Sequence, residues 1–151
     1  MKLAEALIER AQLRQKNEEL IDRIQSNAVV QEGDEPAESP QALMAEYEEN
    51  MARMQQLIVQ INRTNSATPF DGTATIADAI ARRDCIGAKL RSYRDIYNSA
   101  FSERFRYSAK EIKFVRTVDG KELQSTIDRL SKQYRELDTR LQGLNWTVEL
   151  L

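Results

Sequence analysis

From Leu123 to Leu144 the residues Leu123, Ile127, Leu130, Tyr134, Leu137, Leu141 and Leu144 follow one another at spacings of 4, 3, 4, 3, 4 and 3. This repeat places all seven on one side of an α-helix and leaves the remaining circumference polar. A helix with one narrow apolar stripe is unstable alone and must lay that stripe against another helix. The chain supplies partners. Met44, Tyr47, Met51, Met54, Ile58 and Ile61 recur at 3, 4, 3, 4 and 3, with Leu43 and Leu57 widening the face. Leu3, Leu7, Leu13, Leu20, Ile21 and Ile24 form a third stripe, on or beside which Arg10 and Asn17 fall. Ile76, Ala79, Ile80, Arg83, Ile86, Leu90, Tyr93, Tyr97 and Ala100 form a fourth.

Boundary residues punctuate these stripes. Ser39 and Pro40 read as an N-cap followed by proline at the first helical position. Asp71-Gly72, inside the polar block INRTNSATPFDGTAT, reads as a turn, and Thr75 with Asp78 three residues later resembles a capping box. Asp119 with Glu122 repeats that arrangement, and Gly143 is placed to end the last helix. With only five glycines and three prolines in 151 residues, the chain reads as a mainly α fold. The expected architecture is a bundle of four long helices, two helical hairpins, over residues 2–25, 40–62, 76–102 and 119–142 of a single helical domain, 1–151. A minor β element is expected where the period shifts to two, with short strands at 28–31 and 111–118.

The chemistry-bearing residues are sparse. There is no histidine, which removes the commonest general base and metal ligand. Cys85 therefore has no imidazole to activate it, and its place in a helix reads as a buried structural cysteine. The glycines are widely separated, so no phosphate-binding loop is present. No metal, no cofactor and no enzymatic activity are expected. The candidate sites are of other kinds. Asn62, Thr64, Asn65 and Thr68 concentrate side-chain amides and hydroxyls as a polar contact or ligand site. Met44, Tyr47, Met51, Met54 and Trp146 are candidates for an oligomer interface. Arg91, Arg94, Arg104 and Arg106 are candidates for anion binding.

Charge is unevenly spread although the net value is only −2. Residues 1–50 hold 5 basic and 12 acidic side chains, and residues 76–118 hold 10 basic and 5 acidic. The two regions read as complementary to each other, within a chain or between copies, with an anionic partner as the alternative. The basic residues surround their helix and are diluted by Asp84, Asp95, Glu103 and Glu111, so nucleic acid is not the expected partner. MKLAEALIER has charges every few residues and is no secretory signal, and a single cysteine fits a reducing compartment. A cytoplasmic location is the expectation.

The blocks MKLAEALIER, NAVVQEGDEPAE, LIVQINRTN, RYSAKEIKFVRTVD and ELDTRLQGLNWTVEL together resemble the septicolysin-like family, small bacterial helical proteins of largely unassigned function. The resemblance implies a homo-oligomeric α-helical assembly, with six copies as the expected number, and offers no active-site residues. The septicolysin label implies cytolytic, pore-forming activity. The expected function is a non-enzymatic, homo-oligomeric helical protein assembling through its heptad-patterned helices. A membrane-active protein, and an anion or nucleic-acid binder using residues 82–116, are the alternatives.

Overall fold

The computed structural model describes residues 1–102 and 112–151. Four helices follow in order: α1 (Leu3–Asn27), α2 (Pro40–Ala67), α3 (Ile76–Ala100) and α4 (Gly120–Thr147). The chain is mainly α, and among the described residues there is no strand; residues 28–31 and 112–118 are irregular, and residue 111 lies outside the described part. An isolated pair of short strands is marginal in water, and here neither segment has a ladder to join. The only extended pairings among the described residues are the isolated bridges Lys2–Glu149 and Pro69–Thr75.

The helix starts follow the local chemistry. The Ser39 hydroxyl accepts from the Ala42 amide at 3.3 Å, with Pro40 behind it at the start of α2. Asp119 Oδ1 accepts from the amides of Lys121 and Glu122 at 2.8 and 3.2 Å, satisfying two of the orphan donors of α4. Before α3, Asp71 Oδ1 accepts from the amides of Thr73 and Ala74, each at 2.9 Å. The turn is thus closed by the carboxylate, and Gly72 is not in the left-handed region. Gly33 is, at φ 94°, where the loop after α1 turns back.

The helix ends differ from expectation. α2 runs on through Asn62 and Asn65 to Ala67, and α4 passes through Gly143 to Thr147. A glycine costs a helix interior about 1 kcal/mol relative to alanine. Here the helix continues to the Val148 amide, which donates to Leu144 O at 2.9 Å, so Gly143 does not stop it.

The contacts gather into two compact units, Met1–Ile76 with Gln142–Leu151, and Ala77–Leu141. In the first, α1 and α2 form an antiparallel hairpin. Ion pairs Glu9–Arg53 and Lys16–Glu46 step down α2 as they climb α1, and Arg23–Glu38 continues the series at the residue before the N-cap of α2. Leu3, Ala6, Arg10, Leu13, Asn17, Leu20 and Ile24 of α1 are buried or half-buried, at alternating spacings of 3 and 4. Leu43, Tyr47, Asn50, Met54, Leu57, Ile61 and Thr64 of α2 do the same from the facing side. This is the packing seam of the helical hairpin. The end of the chain closes the unit: the Leu3 amide donates to Val148 O, the Leu150 amide to Met1 O, and the Leu151 amide to Thr64 Oγ1, all at 2.9 Å.

In the second unit α3 and α4 pack antiparallel around Ile86, Leu90, Ile127 and Leu130, flanked by Tyr93, Tyr97, Tyr134 and Leu137. Gly87 lies under the ring of Tyr134; a Cβ there would meet Tyr134 Cε2 at 3.1 Å, which gives this mid-helix glycine a packing role. Arg83, an interruption of the sequence stripe, reaches Asp84 at 2.9 Å and Asp138 of α4 at 3.1 Å. Partial burial opposes its charge, but the hydrogen bonds it donates to the two carboxylates outweigh this and raise its pKa. Cys85 is exposed, contrary to the buried position expected of it. One step along a helix is a rotation of about 100°, so the residue beside buried Ile86 points elsewhere.

Candidate interaction surface

A helix stripe wider than one seam has a flank left over once its partner is packed. On α2 the seam toward α1 uses Leu43, Asn50, Leu57 and Thr64 together with Tyr47, Met54 and Ile61. The expected heptad shares Tyr47, Met54 and Ile61 but runs through Met44, Met51 and Ile58, with Leu43 and Leu57 only widening its face and Asn50 outside it. Met44 and Ile58 stand one residue further round, on the outward flank, while Met51 is half-buried at its edge, where its sulfur accepts from Asn17 of α1. Met44, Ile58 and the adjoining Val59 are 44%, 38% and 50% exposed. Glu48, Met51, Ala52, Met54, Gln55, Ile58 and Val59 line a shallow depression of about 460 Å³ along this flank. The arrangement is an apolar row of seven-residue spacing with one carboxylate, Glu48, inside it. Trp146, in the last turn of α4, is also exposed.

A second depression, of about 640 Å³, belongs to the second unit. Asp95, Ile96, Ser99 and Ala100 of α3 form one wall, and residues 114–118 form the other. Arg116 ties that segment down: its Nε donates to Ala100 O at 2.7 Å and its guanidinium lies 4.7 Å from the Phe101 ring centroid. Phe101 in turn stacks on Tyr97 at 4.7 Å. Gly120 sits directly against Phe101, where a Cβ would collide with Cζ.

The polar block is divided by the fold. Thr64 is fully buried and structural, donating to Gln60 O at 2.8 Å and accepting from Leu151. The Thr68 amide donates to Thr64 O and its carbonyl accepts from the Ile76 amide, so it bridges the end of α2 to the start of α3. Asn62 is exposed and Asn65 half-buried. The four therefore do not converge as one exposed group. Of the basic candidates, Arg91 and Arg94 are exposed on α3, where Arg94 Nη2 donates to Ser131 Oγ at 3.4 Å. Arg104 and Arg106 lie outside the described residues.

Among the described residues no group of three or more Cys, Asp or Glu side chains is placed to hold a metal ion. No helix among them is long and apolar enough to cross a membrane. Residues 10–150 match the model of a family of unknown function, DUF6847. The chain belongs to that family. Its fold matches the crystal structure of a functionally unknown conserved protein from Corynebacterium diphtheriae, 42% identical, with a TM-score of 0.95 over 100% of this chain and 99% of that one. The four-helix arrangement is thus shared with a bacterial relative at full length. No protein of curated description matches.

Proposed function

We propose that this member of DUF6847 is a homo-oligomeric helical protein without enzymatic activity, whose copies associate through the outward row of α2. One observation carries the reading: Met44 and Ile58, the outer members of a seven-residue repeat whose middle member Met51 is half-buried against Asn17 of α1, stand exposed on the outward flank, and Val59 extends the row. Seven-residue apolar spacing is the pattern by which one helix packs into another, and exposed apolar strips of this kind are buried by partners. The absence of histidine fits a role carried by packing rather than proton transfer. Six copies are the expected number, on the resemblance of the sequence blocks to septicolysin-like proteins. The test is the double variant Met44→Glu/Ile58→Glu, assayed by sedimentation velocity with circular dichroism as a check on helix content. A fall in mass with helicity retained is expected. Unchanged mass would refute the row as the contact.

A further inference from the structure

We infer that the outward face of α2 docks on the same face of a second copy, antiparallel, about a two-fold axis that passes between Met51 and Ala52. This rests on the self-assembly reading and names the surface and the register that the row meets. Besides Met44, Ile58 and Val59, the outward face exposes Ala45, Glu48, Ala52 and Gln55. At about 100° of rotation per residue these side chains share one side of the helix, with Glu48 and Gln55 along its midline.

The face is its own complement. Turning α2 end for end about the point between Met51 and Ala52 exchanges Met44 with Val59, Ala45 with Ile58 and Glu48 with Gln55. Large side chains then stand opposite small ones, Met51 against Ala52 and Ile58 against Ala45. Glu48 selects this register over the others. Among the described residues it is the only carboxylate lining the depression, and Gln55 is the only lining side chain that can donate a hydrogen bond. Neither takes part in a hydrogen bond or ion pair within the chain among the described residues. They lie two turns apart, about 10 Å along the helix, so they cannot meet each other within one copy. Across the axis each Glu48 accepts from Gln55 of the second copy, once at either end of the contact. A parallel pairing in register would instead set Glu48 opposite Glu48, and like charges across an interface oppose docking. An isologous contact of this kind closes at two chains, so an assembly of six copies would hold three such pairs.

Charge exchange at the two midline positions tests this; both are exposed, so neither substitution touches a core. Gln55→Glu sets carboxylates against each other at both ends of the contact. Glu48→Lys/Gln55→Glu replaces each clash with an ion pair between copies. Sedimentation velocity is read on wild type and both variants over a micromolar dilution series, with circular dichroism to confirm equal helix content. Gln55→Glu should raise the midpoint concentration of self-association about tenfold or more. The double variant should return the midpoint to the wild-type range, and added salt should weaken it more than wild type. If Gln55→Glu associates like wild type, or the double variant associates no better than Gln55→Glu, the antiparallel register is wrong while self-assembly stands. A monomeric wild type would overturn both.

Discussion

Asn17 of α1 donates its Nδ2 to Met51 Sδ of α2 at 3.3 Å, in a seam position where the side chain is 5% exposed. Its Oδ1 is buried without a hydrogen-bonding partner, and so is Nδ2 of Asn50, next to Met51 on the facing helix. An acceptor and a donor, each unsatisfied, thus lie in the α1–α2 seam. Buried polar groups left unpaired cost stability, yet a polar layer within a seam penalises every other register. Asn17→Leu is therefore expected to raise the unfolding free energy by about 1 kcal/mol or more, read from urea denaturation. A lowered midpoint would show that the amide is net stabilising.

Gly120 and Gly143 predict opposite outcomes for the same substitution. Gly120→Ala drives a methyl against Phe101, whose ring is held by Tyr97 on one side and Arg116 on another. A loss of about 1–3 kcal/mol is expected from the forced rearrangement. At Gly143 an added methyl would have nothing within 4 Å, and the residue is helical. Gly143→Ala should gain up to about 1 kcal/mol. Thermal melts of the two variants decide the matter, and a shift in the same direction for both would contradict the packing described.

Thr64 ties the last residues of the chain to α2. Thr64→Val keeps the shape but removes the hydroxyl that accepts from the Leu151 amide. The expected loss is about 1 kcal/mol, with faster hydrogen exchange at the amides of Leu150 and Leu151. Thr64→Ser should restore the protection. Unaltered exchange in Thr64→Val would remove the proposed anchor.

Arg53 binds both carboxylate oxygens of Glu9, at 2.7 and 2.9 Å. These hydrogen bonds hold the Glu9 pKa below its ordinary value, partly offset by desolvation. Arg23 acts likewise on Glu38, and Lys2 on Glu149. A carboxylate with a depressed folded pKa contributes stability above its unfolded value, about 4.3 for glutamate, and loses it as pH falls through the folded one. The stability difference between wild type and Glu9→Gln should therefore be present at pH 7, stay below about 1 kcal/mol, and shrink as pH falls below the ordinary glutamate range. A difference that grows on acidification would reverse the assignment.

The four helices were legible because each carries a 3.6-residue stripe, and three of them an entry signal such as Ser39-Pro40 or Asp119. The side of α2 that meets α1 was not. Tyr47, Met54 and Ile61 belong to two adjacent heptads, and only the register against Leu3, Ala6 and Arg10 selects Leu43, Asn50 and Leu57 over Met44, Met51 and Ile58. Local signals also misplaced what tertiary context decides. Gly143 resembled a stop until the helix end was set by the chain terminus pairing with Met1–Leu3. The alternation at 112–118 resembled a strand, but a strand needs a neighbour. The structural role of Thr64 in the polar block was not legible because it depends on Leu151, 87 positions away along the chain.

Copies of this chain are proposed to bury the outward strip of α2 that exposes Met44, Ile58 and Val59. Static light scattering of the wild-type protein across the micromolar range tests it most directly. A stable mass at a whole-number multiple of 17.4 kDa is predicted, six-fold on the family resemblance. A mass of 17.4 kDa at every concentration would contradict it.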